Sequence, residues 1–310
     1  MNRIILLMMY FTVTSSLYAQ QMTLPATYLY TFINARNSAM GYTTIVDKGY
    51  WGFFQNPALV GLRAQRAFSA LYANLQLQQE IFMGSIHFPH IAESAISFSI
   101  GWGVLQVGDL DGRDAMGNRT QNFAVYHHVG ALTMAFGGYI PEEEWYSPFS
   151  IGFTIKGLWN NYYYIQGKGW AGDVGLVWGM VRDDFENSPY ILQIGVAISE
   201  LGGKIIWNTG NQETLVPRVG IALLWSPREW LQLVSQTTRW PSGEILLGAG
   251  MEINLLQHVA LRAGWHSLHG ITFGLGLQWG EEKRVHLSAA QLMDHFTASR
   301  PWVWEVDAAY

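Results

Sequence analysis

Large apolar and small residues alternate along several segments, and this period of two residues constrains the fold more than any other feature. In segment 94–104, large apolar residues occupy the even positions and small residues the odd positions. The alternation returns in segments 149–156, 192–199 and 271–279. Because successive side chains of a β-strand point to opposite faces, each segment would present one large apolar face and one small face. Segments of about ten residues with this pattern are typical of transmembrane β-strands.

The composition indicates a surface that faces lipid. Charged residues make up 13% of the chain, about half the share that is usual in soluble domains. No segment after Ala19 is long and apolar enough to predict a membrane helix. In a bilayer, such a chain can satisfy its backbone hydrogen bonds only by closing its strands into a barrel. The net charge of −5 comes without a polybasic block, which argues against nucleic acid as a partner.

The first residues predict export through a signal peptide. Arg3 precedes an apolar run from Ile4 to Val13, which is too short for a membrane helix, and a cleavage site is predicted after Ala19. We therefore assign residues 1–19 to a signal peptide. The chain has no cysteine, which excludes a disulfide framework, a lipoprotein anchor and thiol catalysis.

The alternation and the turn residues between the segments predict an antiparallel barrel of about 14 strands, formed by residues 66–310. The candidate strands are Arg66 to Leu77, Gln79 to Phe88, Ser94 to Leu105, Ala124 to Tyr139, Pro148 to Leu158, Trp170 to Met180, Tyr190 to Ser199, Pro217 to Trp225, Leu231 to Trp240, Glu244 to Asn254, His258 to Ser267, Gly270 to Gly280, Lys283 to Leu292, and Trp302 to Tyr310. Long outer loops are predicted at Asn160 to Gly169 and Glu200 to Val216, with short turns on the periplasmic side. Residues 20–65 do not alternate and are predicted to fold back as an N-terminal hatch. The alternative is a soluble β-sandwich, against which the low charge argues.

An ordered set of motifs resembles a known family. The run Ala35-Arg36-Asn37-Ser38-Ala39-Met40-Gly41, followed by Asn56-Pro57-Ala58-Leu59, resembles the hatch signature of the PorV/PorQ group in the long-chain fatty acid transporter (FadL-like) superfamily. Later landmarks of that group are resembled by Gly108-Asp109-Leu110 with Gly117-Asn118 and Phe123, and by segments 171–176, 261–265 and 270–277. The resemblance implies a fourteen-stranded barrel in the bacterial outer membrane, with a hatch motif of Ala35, Arg36, Met40, Gly41, Asn56, Pro57 and Ala58.

The resemblance leaves the function open between two uses of such a barrel. It implies a component of type IX protein secretion and surface attachment, with the translocon and secreted cargo proteins as partners. The alternative is a FadL-like transporter whose partner is a hydrophobic small-molecule ligand. A general porin is a third interpretation, but a hatch and many inward glycines favour a plugged interior.

No local signature predicts catalysis, a cofactor or a metal site. Asp109, Asp111 and Asp114 have some of the spacing of a calcium loop, but no glutamate follows at the twelfth position. We therefore interpret them as a solvated acidic loop. His127 and His128 are neighbours on a predicted strand and should point to opposite faces, so they cannot ligate one ion together. We predict no enzymatic activity.

Charged residues at inward positions predict a polar lattice in the lumen. Lys156 and Asp173 should face inward on neighbouring strands, Glu252 should face Arg262 across a short hairpin, and Arg284 could meet Asp307. Opposite charges on neighbouring strands stabilise a sheet by a few tenths to about 1 kcal/mol per pair. The open alternative is that these residues bind the hatch or line a ligand path.

Overall fold

Fourteen strands, each hydrogen-bonded to two neighbours, close into an antiparallel barrel. The computed structural model describes residues 26–46, 51, 54–63, 65–75, 78–89, 95–137, 149–184, 188–228, 230–256, 258–279, 284–293 and 302–309. The predicted signal peptide (1–19), residues 20–25 and Tyr310 lie outside these residues. The prediction of a fourteen-stranded antiparallel barrel is confirmed. Among the described residues, no helix is both long and apolar enough to cross a membrane.

The barrel strands follow one another around the wall, with one short extra strand, β8, paired to β7. Their bounds are β1 Ala67–Asn74, β2 Gln79–Phe88, β3 Ile96–Leu110, β4 Phe123–Gly137, β5 Ser150–Tyr162, β6 Ile165–Asp184, β7 Ser188–Trp207, β8 Gln212–Thr214, β9 Arg218–Arg228, β10 Leu231–Arg239, β11 Ile245–Leu256, β12 Val259–His266, β13 Gly270–Trp279, β14 Arg284–Met293 and β15 Trp302–Ala309. Strand β15 pairs with β1, and Ala309 lies opposite Ala67. We call the end of the barrel that holds these two residues the terminal end, and the opposite end the distal end.

The outer face of the wall carries large apolar residues, as the alternation predicts. On β15, Trp302, Trp304 and Val306 are exposed, whereas Val303 and Glu305 between them are buried. Phe153 and Leu275 are each 42% exposed on other strands. Val104 lies opposite the exposed Phe82 and so faces outward with them, although its own side chain is buried. A wall that exposes aromatic and aliphatic side chains in this way belongs in hydrocarbon rather than in water.

The strands near the distal end are longer than the sequence predicts. The long loop expected at residues 160–169 is wrong, because β5 and β6 continue to a two-residue turn at Tyr163 and Tyr164. The loop expected at residues 200–216 is also wrong, because β7 continues to Trp207 and pairs with β8. Beyond the bilayer a strand needs no apolar face, so its residues lose the alternation on which the prediction depended.

A bulge interrupts the pairing of β6 with β7. Gly172 lies opposite Leu201 and Val174 opposite Ile198, so two steps on β6 match three on β7, and a second shift of the same size lies between Gly172 and Trp170. Glu200 and Gly202 adopt positive φ angles of 62° and 60° at this place. The extra residue changes the side of the sheet to which the next side chain points, as in other β-bulges. As a result, the consecutive residues Ser199 and Glu200 are both buried.

Residues 26–46, 51 and 54–63, which we call the luminal segment, lie inside the barrel. The segment contains one short helix, α1 (Ala35–Ala39), and two 3-10 helices, Thr27–Tyr30 and Pro57–Leu62. Helix α1 packs against strands β12 to β15, and the second 3-10 helix packs against β3 to β6 on the other side. A five-residue helix is not stable alone in water, so these contacts with the wall must hold it.

Glycines on the inner face of the wall let the luminal segment approach the strands closely. A Cβ atom added at Gly152 would collide with the backbone of Pro57, and one at Gly264 would collide with the backbone of Gly41. Gly41 itself has a φ of +70°, a conformation that side chains disfavour, and it follows the end of α1. The small inward residues of the sequence pattern are therefore the positions where the segment meets the wall.

Candidate luminal site

Helix α1 is fixed by charged side chains of the wall at its first turn. The Glu305 carboxylate on β15 accepts hydrogen bonds from the backbone N–H groups of Ala35 (3.1 Å) and Arg36 (3.4 Å). The side chain of Asn34 caps the helix by accepting from the N–H of Asn37 at 2.6 Å. Carboxylates are favourable at a helix N-terminus because the N–H groups there have no partner within the helix.

Arg36 connects the luminal segment to a charged group on the wall. Its guanidinium donates to Glu252 on β11 at 2.9 Å and also to Gln232 on β10. Glu252 is shared with Arg262 on β12, whose Nε lies 2.6 Å from the same carboxylate, and Arg262 donates further to Ser288. We call Arg36, Glu252 and Arg262 the segment cluster. The sequence placed Glu252 opposite Arg262, and the structure brings the two together.

The other predicted pair on this side differs in register. Arg284 lies opposite Ala309, and His286 lies opposite Asp307, so Arg284 and Asp307 are not direct cross-strand partners, and a contact between their side chains stays a prediction. Position parity fixes the face to which a side chain points, but the partner depends on the register between the strands. The side chain of Arg284 lies outside the described residues.

A second group of buried charges lies on strands β5, β6, β7 and β9. The Lys156 ammonium is 2.7 Å from Asp173 and 3.5 Å from Glu200, and the Arg218 guanidinium is 3.6 Å from Glu200. We call these four residues the wall cluster. The sequence predicted that Lys156 and Asp173 face inward, and the structure places their charged atoms in contact. It missed Glu200, because parity from Ile198 would point Glu200 outward and only the bulge turns it into the lumen. The adjacent glycines Gly202 and Gly203 are the sequence feature that could indicate a bulge at this place.

The wall cluster holds the second half of the luminal segment mainly through polar backbone groups. Lys156 donates to the carbonyl of Phe54 at 3.0 Å, and Ser199 donates to the carbonyl of Gln55 at 3.3 Å. Arg218 donates to the Gln55 side chain at 2.6 Å and lies 4.6 Å from the ring centre of Tyr30. Two of the four charged residues, Lys156 and Arg218, therefore also position the segment.

The remaining motif residues are buried at these contacts. Ala35, Asn56 and Ala58 have no measurable exposure. Asn56 donates to the carbonyl of Ile45 at 2.8 Å and accepts from the N–H of Ala58 at 3.1 Å, which starts the 3-10 helix at Pro57. Near the end of α1, the Met40 side chain is buried and the Gly41 N–H donates to Thr272 at 3.3 Å. All seven residues thus lie where the segment packs on itself or on the wall.

Two cavities flank α1 along the barrel axis. The distal cavity has a volume of about 350 Å³ and is lined by Tyr30, Ile81, Trp240, Leu246 and Val303 among others. The terminal cavity, of about 270 Å³, is lined mainly by polar and charged residues, including those of the segment cluster. Ser38 of α1 lines the first and Arg36 of α1 lines the second. Helix α1 and the segment cluster therefore separate a largely apolar cavity from a charged one.

Two of the three carboxylates of the predicted acidic loop, those of Asp111 and Asp114, are engaged by neighbouring residues. Asp111 pairs with Arg113 at 2.7 Å and with Arg119 at 2.9 Å. Hydrogen bonds from the Asn118 side chain and backbone hold the pKa of Asp114 below its usual value. Within the part of the chain that the structure describes, no three His, Asp or Glu side chains group as metal ligands.

The two neighbouring histidines point to opposite faces, as predicted. His127 is buried in the lumen and its Nδ1 lies 2.9 Å from the Asn160 side-chain oxygen. The His128 ring stacks with Trp102 at 5.9 Å.

Comparison with known proteins supports the fold. No protein-family model matches the sequence, and no curated protein matches it. The structure is similar to that of the toluene transporter TodX of Pseudomonas putida, with a TM-score of 0.57, 12% identity, and coverage of 89% of this chain and 96% of that chain. It is also similar to the toluene transporter TbuX of Ralstonia pickettii, with a TM-score of 0.55, 12% identity, and coverage of 90% and 97%. At these identities the likeness extends to the fold: this chain folds into the kind of barrel that the two toluene transporters form.

Proposed function

We propose that this chain lies in the bacterial outer membrane and passes small hydrophobic molecules across it. The observation that carries the proposal is the distal cavity, about 350 Å³ in volume, between the luminal segment and the wall. Small-molecule sites have volumes of about 300–1,000 Å³ and combine an apolar lining with a few polar groups. Tyr30 and Ile33 of the segment, with Leu246 and Val303 of the wall, provide such a lining.

The charges around the distal cavity favour an uncharged ligand. Among the described residues that line it, Arg218 is the only lysine, arginine or carboxylate. Its guanidinium already contacts Glu200, Gln55 and the ring of Tyr30. A charged ligand would therefore lose its hydration without gaining a counter-charge. TodX and TbuX, which share the fold, are toluene transporters, and this supports an apolar substrate class. The same likeness to two transporters favours transport over catalysis as the function of this chain.

Passage through the barrel requires a change at α1, since this helix stands between the distal and terminal cavities. In this proposal the luminal segment acts as the hatch, and residues 66–310 form the wall around it. The barrel end that holds Ala67 and Ala309 faces the periplasm in this proposal, and the distal cavity faces the exterior, the arrangement usual for outer-membrane barrels.

Filling the distal cavity tests the proposal. Leu246 is buried and lines the cavity, whereas its neighbour Leu247 points to the other face of β11. We expect Leu246→Trp to abolish most of the initial uptake of radiolabelled toluene by cells that produce the protein, because the indole would occupy the ligand volume. Leu247→Trp, which adds the same bulk outside the lumen, should leave uptake unchanged. Equal uptake by both variants and the parent would contradict the proposal.

A role in type IX secretion and surface attachment is the second candidate, and the PorV/PorQ resemblance favours it. The motif residues that carry the resemblance, such as Arg36 and Asn56, make the contacts of the luminal segment. The double variant Asn56→Leu, Pro57→Gly should loosen the segment while the strands still close. If the secretion role holds, cargo should accumulate in the periplasm of a native host that carries this variant, and hydrophobic uptake should not change. If the transport role holds, uptake should change and surface attachment should stay normal.

A further inference from the structure

A second and larger cavity opens at the distal end beside the one assigned to apolar ligands. It has a volume of about 760 Å³ and lies between the start of the luminal segment and strands β3 to β8. Thr27, Thr31 and Gln79 line both cavities, so the two adjoin. We call it the aromatic cavity, because Tyr28, His127, Tyr162 and Trp207 all contribute to its lining.

The rings of the aromatic cavity form a continuous row. Tyr28 stacks on His127 with 4.2 Å between ring centres, and His127 meets Tyr162 edge-on at 5.0 Å. Tyr162 and Trp207 follow at 5.6 Å with a tilted geometry. The faces of tyrosine and tryptophan rings carry partial negative charge and attract cations that lie within about 6 Å of the ring centre.

One carboxylate faces the same space. Glu213 lies on β8 directly opposite Ile205 of β7, whose side chain is buried inside, and cross-strand partners point to the same side. Glu213 is half-buried, and it forms no ion pair with any residue in the described part of the chain. Both Glu213 and Tyr28 line the aromatic cavity. Burial raises the pKa of the Tyr28 hydroxyl, and the negative charge of Glu213 contributes slightly in the same direction.

The charge balance of the aromatic cavity differs from that of its neighbour. The described residues that line it include Glu213 but no lysine or arginine. A neutral apolar ligand would remove water from Glu213 without giving it a partner, which is costly. A bare metal ion would need several oxygen ligands, and a single carboxylate among the described residues does not supply them.

We propose that the aromatic cavity is a binding site for an organic cation of the alkylammonium class. The ring row receives the apolar and positively charged headgroup, and Glu213 neutralises it. The volume leaves room for a substituent larger than the headgroup, which can extend toward the distal cavity through the shared Thr27 and Thr31. Because the site uses different residues from those assigned to apolar ligands, it does not depend on the proposed transport of neutral molecules.

Binding of a matched pair of ligands tests this inference on the full folded protein in uncharged detergent. Choline carries a quaternary ammonium, and 3,3-dimethylbutan-1-ol has the same shape with carbon in place of nitrogen. Titration calorimetry should give a dissociation constant for choline at least about tenfold below that of the neutral alcohol, a typical gain for a cation on desolvated rings. Equal affinities for the two, or no choline binding, would overturn the inference and would leave the toluene uptake experiment unaffected.

Two pairs of variants locate the site. Glu213→Gln should weaken choline binding at least about tenfold, while Glu244→Gln, which removes a carboxylate from another turn at the distal end, should not. Tyr162→Phe retains the ring and should bind as the parent does, whereas Tyr162→Leu should lose affinity. All four variants should keep the gel mobility of the folded, unheated barrel. Equal losses from Glu213→Gln and Glu244→Gln, or equal binding by the two Tyr162 variants, would place any bound cation elsewhere and overturn the assignment.

Discussion

The segment cluster and the wall cluster both join the luminal segment to the barrel, but they do so with different distributions of charge. In the segment cluster, one carboxylate, Glu252, is shared by Arg36 of the segment and Arg262 of the wall. In the wall cluster all four charges belong to the barrel, and the segment contributes backbone carbonyls and an uncharged amide. The first cluster therefore keeps an ion pair when the segment leaves it. The second balances its two buried acids with a lysine and an arginine of the wall, and only the lysine contacts both acids.

The largest effect should come from removing that lysine. Lys156→Met leaves Asp173 and Glu200 buried with Arg218 as their remaining cation, and breaking a buried pair typically costs about 3–5 kcal/mol. The free energy of unfolding, measured by denaturant titration in lipid vesicles, should fall by this amount. Lys168→Met, at an exposed position on β6, should change it by less than about 0.5 kcal/mol. Similar losses for both variants would contradict the buried network.

A charged side chain introduced on the outer face should lower the free energy of unfolding nearly as much, although the lumen contains paired charges. Leu275→Arg places a guanidinium among lipid tails, where the expected cost near mid-bilayer is about 2–4 kcal/mol. Phe153 and Ile194 face outward too, and Arg there should act in the same way. Leu275→Met retains an apolar side chain and serves as the control in the same unfolding assay. Full stability of the Arg variant would show that the faces are assigned wrongly.

Close packing between segment and wall predicts a smaller effect at a glycine. Gly152→Ala would force the methyl group into the backbone of Pro57, and overpacking of this kind costs about 1–3 kcal/mol. Gly84→Ala is the control, since a methyl group there meets no atom of the described structure within 4 Å. Unfolding midpoints that shift equally for the two variants would mean that the luminal segment does not touch β5.

The smallest effect is expected at the segment cluster. Arg36→Gln leaves Glu252 paired with Arg262, so we expect a loss of only about 0.5–1.5 kcal/mol, the net value of a typical hydrogen bond. Hydrogen exchange should show faster opening of residues 35–39 with little change in the strands. Arg113→Gln, at an exposed ion pair in the loop between β3 and β4, should leave both quantities unchanged. A loss for Arg36→Gln as large as that for Lys156→Met would remove the distinction between the clusters.

The alternation of residues was sufficient to predict the barrel and most of its faces, because a strand in lipid must keep its apolar residues on one side. It also placed Lys156, Asp173, Glu252 and Arg262 in the lumen, since parity determines the face. The pattern fails where that constraint ends. Residues 160–169 extend β5 and β6 beyond the apolar zone, where alternation is not required, and a stretch without alternation predicts a loop.

The cross-strand partner of a residue and the position of a bulge cannot be predicted from the spacing of residue types along the sequence. The register shift between Ile198 and Leu201 interrupts the parity of β7, and parity alone therefore does not predict Glu200 in the lumen, although Glu200 is central to the wall cluster. The register between β14 and β15 places His286, two residues after Arg284, opposite Asp307. The motif residues of the luminal segment could be located by resemblance, but their contacts with wall glycines such as Gly152 follow only from the folded barrel.

The central claim, that the N-terminal segment occupies the lumen, can be tested most directly by a disulfide across the contact. A Cβ built at Gly250 lies 2.7 Å from the Met40 Cβ, so the two need to move apart by about 1 Å to reach disulfide geometry. The chain has no cysteine of its own. We predict that Met40→Cys, Gly250→Cys forms an intramolecular disulfide under mild oxidation, seen as a shifted, reducible band. The pair Met40→Cys, Gly84→Cys, whose second thiol lies on the outer wall, should stay reduced. A free, maleimide-reactive Met40→Cys thiol in the first pair would contradict a lumen filled by the segment.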